Sequence, residues 1–178
     1  MGSPQKSRVF YLNGENMKIE IARKEDLEEI LEIYKKAREF MKKSGNTTQW
    51  GEDKPSKETL ERDIENKNLY VVREAGEIVG AFALIYGVDK TYLEIDGKWL
   101  NDEPYATLHR VASSGKAKGL MKNIIELSES KYENLRIDTH KDNHKMLEKI
   151  RENGFTHCGI IKVDDGSPRE AFQKISKK

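Results

Sequence analysis

Residues 105–125 read YATLHRVASSGKAKGLMKNII. The segment opens extended and apolar. It passes through a small, flexible loop at Ser113, Ser114 and Gly115. It continues as a helix in which Leu120, Ile124 and Leu127 recur at helical spacing. Lys116, Lys118 and Lys122 surround the helix start. Cations are disfavoured there, because a helix N-terminus carries partial positive charge, unless something anionic sits beside them. The free N–H groups of a first helical turn hold phosphate well, and small residues let a ligand approach the backbone. Two readings stand side by side: a strand, phosphate-cradling loop and helix, or an ordinary strand–helix joint with solvated lysines.

Around this segment the composition narrows the classes. The chain has 178 residues, enough for one domain with a real core. Its net charge is +1 with 35% charged residues of both signs, which argues against a dedicated nucleic-acid or polybasic membrane surface. No apolar run approaches the ~20 residues of a membrane span, and no signal-peptide pattern opens the chain. A single cysteine, Cys158, cannot form an internal disulfide, so a cytoplasmic location is expected. No metal-ligand cluster, internal repeat or low-complexity segment is visible. Residues 1–16 lack a period and are read as a leader outside the fold: a cloning remnant, an alternative start or a disordered segment. Residues 17–178 are read as one domain.

The periodicities predict an order of elements. Met17 to Ala22 alternates as a half-buried strand. Asp26 to Lys43 is a helix with Leu27, Ile30, Leu31, Tyr34, Ala37 and Met41 on one stripe, stopped by Gly45. A polar loop with Trp50 follows, and Ser56 caps a second helix to about Asn66. Leu69 to Arg73 and Ile78 to Tyr86 form a hairpin around Gly76. Residues 87–102 are irregular, with a small hairpin expected at Asp96-Gly97. Beyond the central segment come a strand over 135–139, a helix with Met146, Leu147 and Ile150 inward, and strands over 158–163 and 169–175. Such an order makes an α/β fold, a mixed sheet of six or seven strands with helices on both faces.

The central segment resembles the acetyl-CoA-binding core of the GCN5-related N-acetyltransferase (GNAT) family. That family carries an Arg/Gln-x-x-Gly-x-Gly/Ala signature whose backbone amides hold the cofactor pyrophosphate. Lys116, Gly119 and Met121 occupy the matching positions. Lys116 keeps the charge without the planar fork of arginine, and Met121 replaces a small residue beside the pyrophosphate. ThrHisLysAspAsn at 139–143 with Gly154-Phe155 is similar to a second family region, in which Asn143 would contact the cofactor. The family's usual proton-donating tyrosine falls on Ile150, so that acid is missing. The resemblance spans roughly residues 17–174. HRVASSGKAKG, RIDTHKDN and CGII…DGSPREAF resemble a subgroup of uncharacterised bacterial members. It implies that amides of Val111, Ala112 and Ser113 hold the thioester arm. It also implies that Lys116, Ala117, Lys118, Gly119, Leu120 and Met121 bind the pyrophosphate. A homodimer is expected by analogy with the family.

The chemistry needs a base for the amine, a donor for the oxyanion and a proton for the departing thiolate. His109 is the leading base, since imidazoles titrate near neutrality and strand alternation puts His109, Val111 and Ser113 on one side. Its alternative is a structural histidine bonded to nearby backbone. His140, at the end of the neighbouring strand, is second. Its alternative is a histidine of the helix-entry loop. Asp138 is expected to pair with a lysine or Arg136, Cys158 to be a small core residue, and Tyr105 to be a minor candidate proton donor. Tyr34, Arg38, Trp50, Tyr92 and Trp99 are expected near the amine, where aromatics pack alkyl chains or attract cations; they serve equally well as core. The expected function is acetyl-CoA-dependent N-acetyl transfer to a primary amine of a small molecule or peptide. A non-catalytic acyl-CoA-binding or regulatory module is the alternative. The near-neutral charge disfavours a nucleic-acid binder.

Overall fold

A computed structural model describes residues 10–11 and 17–176. The elements in chain order are β1 (Phe10–Tyr11), β2 (Met17–Ile21), α1 (Leu27–Lys43), α2 (Lys57–Glu65), β3 (Leu69–Glu74) and β4 (Glu77–Tyr86). They continue as β5 (Asp96–Gly97), β6 (Ala106–Ser113), α3 (Leu120–Lys131), β7 (Asn134–Thr139), α4 (His144–Glu152), β8 (Thr156–Lys162) and β9 (Pro168–Ile175). All strands join one sheet in the order β1-β2-β3-β4-β6-β7-β9-β8-β5. Only β6 and β7 run parallel; every other neighbouring pair is antiparallel. A parallel pair needs a crossover, and α3 supplies it.

The two faces of the sheet carry different helices. Met17, Phe82, Leu108 and Ile137 pack under α3 and α4 through Ile124, Leu127, Leu147 and Ile150. Val71, Ala81 and Ala83 pack under α1 and α2 through Ile30, Ile33, Tyr34 and Leu60. Ser56 caps α2 by accepting from the Thr59 amide, as its sequence position predicts. Ala75 and Gly76, both at positive φ, make the tight β3–β4 turn.

The described residues form nine strands where six or seven were expected, and β1 and β5 are among the additions. Of residues 1–16, only Phe10–Tyr11 lies among the described residues, and it pairs with Ile19 and Lys18 of β2. The rest of the expected leader lies outside them. The small hairpin expected at Asp96-Gly97 does not form. These residues instead pair with Gly159 and Ile160 on β8. A Cβ on Gly97 would stand 2.1 Å from the Cys158 carbonyl oxygen, and one on Gly159 2.2 Å from that of Asp96. The backbones approach so closely that both positions need glycine. No helix among the described residues is long and apolar enough to cross a membrane.

Candidate active site

The site begins where β6 leaves β7. The two strands pair only through Ala106–Leu108 against Leu135–Ile137, then diverge. A β-bulge produces the divergence. His109 opposes Ala83 and Ala112 opposes Ala81, so Arg110 and Val111 together face Phe82. Arg110 has φ 53°, a left-handed conformation that costs a non-glycine residue about 1–3 kcal/mol and persists only when neighbours enforce it. Two do. The Tyr34 hydroxyl donates to the Arg110 carbonyl oxygen at 2.6 Å. Asp63 accepts from Arg110 Nε at 2.9 Å and from its terminal nitrogen at 2.7 Å. Burial pushes the Tyr34 hydroxyl well above its ordinary range, so it stays a donor. Tyr34 is therefore a prop beneath the bulge, 0% exposed, and not the acceptor contact its sequence position suggested.

The bulge also changes which side chains share a face. Simple alternation puts His109 and Val111 together. In the structure Val111 packs with the α3/α4 core. His109 stands level with Ala83, which packs under α1 and α2. The extra residue flips the alternation between them.

The divergence opens a cleft of ≈ 670 Å³, bordered by Trp50, His109, Asp138, Asn143, Asp164 and Arg169 among others. His109 Nε2 lies 2.9 Å from Asp89 Oδ2, and the ring stacks on Tyr92. Burial raises the Asp89 pKa, but hydrogen bonds from His109 and from the Thr91 hydroxyl and amide outweigh it, holding the carboxyl at about 2. An ionised carboxylate can only accept, so Nε2 carries the proton. A neutral His109 ring then has its lone pair on Nδ1. Asp138 does not pair with a lysine or Arg136 as expected: it accepts from the Tyr92 hydroxyl at 2.6 Å, and burial raises its pKa. The Arg136 guanidinium is instead held between the Trp99 and Tyr105 rings, at 4.0 and 3.9 Å.

At the far end of β6 the loop is built from its own residues. Gly115 N–H donates to Ser113 Oγ and Lys116 N–H to Ser114 Oγ. Gly119, at φ 70°, leads into α3. The first internal bond of that helix runs from the Asn123 amide to the Gly119 carbonyl. The amides of Leu120, Met121 and Lys122 precede it and have no helical acceptor. The Met121 side chain is 7% exposed and packs into the α3/α4 core, so it does not crowd the open side of the loop. Lys116 and Lys118 are exposed, and Ala117 packs partly on the core.

No protein-family sequence model matches the chain, and no curated protein matches it. Solved structures do. An acetyltransferase of the GNAT family from Streptococcus agalactiae 2603 is 31% identical with TM-score 0.87, over 96% of this chain and 100% of that one. This chain belongs to the GNAT family. A putative acetyltransferase from Staphylococcus aureus Mu50 is 27% identical, with TM-score 0.66 over 89% of this chain and 99% of that one. A putative acetyltransferase from Salmonella typhimurium, solved with its cofactor acetyl-CoA, shares the fold at 16% identity. Its TM-score is 0.60, over 92% of this chain and 96% of that one. The family and fold drawn from the residues are thereby borne out.

The remaining sequence candidates sort clearly in this GNAT chain. His140 is buried, with Nδ1 accepting from the Asp142 amide and Nε2 3.3 Å from Thr48 Oγ1. Burial and then the Arg169 charge lower its pKa, so the ring is neutral and its one lone pair is occupied. His140 is thus poorly placed as a base and serves the loop. Asn143 caps α4 by accepting from the Met146 amide and borders the cleft. Trp50 meets Tyr34 edge-on at 5.6 Å and also borders the cleft. Trp99 does not reach it: it is buried, donates to the Tyr92 carbonyl and covers Arg136. Tyr105 accepts from the Asp89 amide, which fixes it as a brace for that carboxylate. Ile150 is wholly buried, so the family's tyrosine position offers no acid. Asp89 and Gln49 are among the residues that escaped the sequence reading. Asp89 carried one faint signal, the Asp-x-Thr spacing of an Asx-turn. Gln49 carried none: its side-chain oxygen accepts from Asn46, Thr139, His140 and Asn143, tying the α1–α2 loop to the end of β7.

Proposed function

We propose that this GNAT protein is an acetyl-CoA-dependent N-acetyltransferase acting on a primary amine of a small molecule or peptide, in a cytoplasmic setting that suits its lone buried thiol. The observation that carries the reading is the bulge-driven divergence of β6 from β7 beside the Asp89–His109 pair. Beyond Leu108, the groups of β6 that would bond β7 face a cleft, where they suit a thioester arm. In this reading the backbone of Val111, Ala112 and Ser113 receives that arm. Lys116, Ala117, Lys118, Gly119, Leu120 and Met121 take the pyrophosphate through amides and lysine charge, and Asn143 flanks the cofactor. The acetyl-CoA of the Salmonella neighbour supports this choice of cofactor.

The amine nitrogen attacks the acetyl carbonyl. The C–N bond forms, the C–S bond breaks, and the amine proton passes to Nδ1 of His109. Asp89, held ionised, stabilises the imidazolium and fixes its tautomer. The thiolate leaves unaided by a side chain and takes its proton from water. Thiols titrate near ~8.5, so the thiolate is a fair leaving group. The other reading, a non-catalytic acyl-CoA-binding module, loses support because Met121 turns into the core and now rests on Ile150 alone.

Thiol release from acetyl-CoA, measured across a panel of primary amines, tests the proposal. Turnover is expected, with His109→Ala reducing kcat about a hundredfold while acetyl-CoA affinity holds. Acetyl-CoA binding without turnover on any amine would favour the non-catalytic module.

A further inference from the structure

Three neighbouring strands bring charged side chains to one face of the sheet. Leu108, Ile137 and Phe172 pack on the α3/α4 side. Their chain neighbours His109, Asp138 and Ala171 therefore lie on the opposite side, the one that carries α1 and α2. Asp138 pairs directly with Ala171 on β9. Arg169 stands two residues before Ala171 and shares its face. Asp138 and Arg169 are thus diagonal neighbours, a relation that sets Cα atoms about 7–8 Å apart, within reach of a long side chain. His109, Asp138 and Arg169 all border the β6–β7 cleft.

Arg169 is the unusual member. It is 7% exposed, yet no carboxylate among the described residues forms an ion pair with it. Its terminal nitrogens donate to main-chain carbonyls, that of Pro168 at 2.9 Å and that of Gln49 at 3.5 Å. Its Nε has no partner among the described residues and is not sealed from solvent. A guanidinium taken out of water without a counter-ion is costly, and an entering carboxylate offsets that cost. The planar fork of arginine also matches a carboxylate in shape. Asp138 is the complementary case. The Tyr92 hydroxyl holds Oδ1, while Oδ2 has no partner among the described residues and is likewise open. Burial raises the Asp138 pKa, and the charges of His109 and Arg169, near enough to act on it, lower it. The other charges at the cleft border are accounted for. Arg110 is committed to Asp63. Asp53, Lys54, Asp164 and Asp165 are exposed, where water and salt screen them.

We infer that the acceptor of the proposed transferase is a free α-amino acid, its amino group bonded by Asp138 beside His109 and its carboxylate by Arg169. The inference rests on the acetyltransferase reading. An α-amino acid carries opposite charges a few bonds apart, so one small molecule bridges two opposite charges that share a face and lack ion-pair partners. A simple amine would leave Arg169 without a counter-ion. A peptide amino terminus has a neutral amide where the carboxylate would be. The ammonium first sheds one proton to water. The free amine then attacks the acetyl carbonyl: the C–N bond forms, the C–S bond breaks, and a second proton passes from nitrogen to His109.

Thiol release from acetyl-CoA tests it, with the common L-amino acids as probes, each beside the amine left when its carboxylate is removed. At least one amino acid is expected to exceed its amine in kcat/KM by about tenfold or more. Arg169→Met removes the charge and keeps apolar bulk, and is expected to shrink that ratio below about threefold. Arg169→Lys keeps the charge without the fork, and its ratio is expected to fall between the two. Asp138→Asn is expected to lower kcat/KM about tenfold for both members of a pair, since both present the same amino group. A merely structural Arg169 would instead lower both members together and leave their ratio intact. Three results overturn the inference: amines that match or exceed their amino acids in every pair, a ratio untouched by Arg169→Met, or full activity in Asp138→Asn. Failure to turn over any member of the panel, amine or amino acid, would instead remove the transferase reading beneath it.

Discussion

The two ends of β6 solve the problem of holding a ligand in opposite ways. At its middle, the His109–Val111 bulge is held from far off in sequence. Tyr34 is 76 residues away, Asp63 47 and Asp89 20. At its end, the loop after Ser113 is held by serines bonding amides two residues on. The bulge stores strain and needs several elements at once. The loop needs only small residues and a helix to follow. The bulge end should therefore be sensitive to single side-chain changes, and the loop end tolerant of them.

The largest structural effect should come from Tyr34→Phe. It leaves the Arg110 carbonyl unpaired and removes one of two restraints on a strained residue. Denaturant melts should show a loss of about 1–3 kcal/mol, and thiol release should fall at least about tenfold as the bulge relaxes. A variant with both properties unchanged would mean that the bulge is intrinsic to β6.

Asp89→Asn should come next. Asp89 titrates lower folded than unfolded, so it contributes stability above the ordinary carboxylate range and loses it as pH falls. The variant should be less stable by roughly 2 kcal/mol at neutral pH, with the gap closing between about pH 4 and pH 2. Thermal melts across that range check it. A gap that persists in acid would assign the loss to packing.

Lys116→Ala should be the smallest. Its contact with Glu77, at 3.8 Å between exposed side chains, contributes little to stability. The melting temperature should hold. Acetyl-CoA affinity should drop less than about tenfold, and less at high salt, because a single exposed charge is screened. A large stability loss would contradict the local construction of the loop.

The same contrast explains what the residues alone reveal. The order of strands and helices, the β3–β4 turn and the Ser56 cap are written in neighbours a few positions apart, and so is the loop. Nothing in HRVA announces a bulge, because its cause is Tyr34 and Asp63 on two helices. Alternation therefore misplaces His109 relative to Val111. Trp99 and Tyr34 look like ligand-binding aromatics until their partners are known: Arg136 for one, the Arg110 carbonyl for the other. Met121 looks obstructive until the helix phase turns it into the core. Asp89, in an irregular segment, becomes visible only once that segment folds against β6.

Calorimetric titration of the purified protein with acetyl-CoA, with CoA beside it, tests the central claim most directly. The divergence of β6 from β7 and the open amides of α3 predict micromolar binding of both at one site. No heat with either would contradict the cofactor site, leaving a GNAT fold whose cleft serves something else.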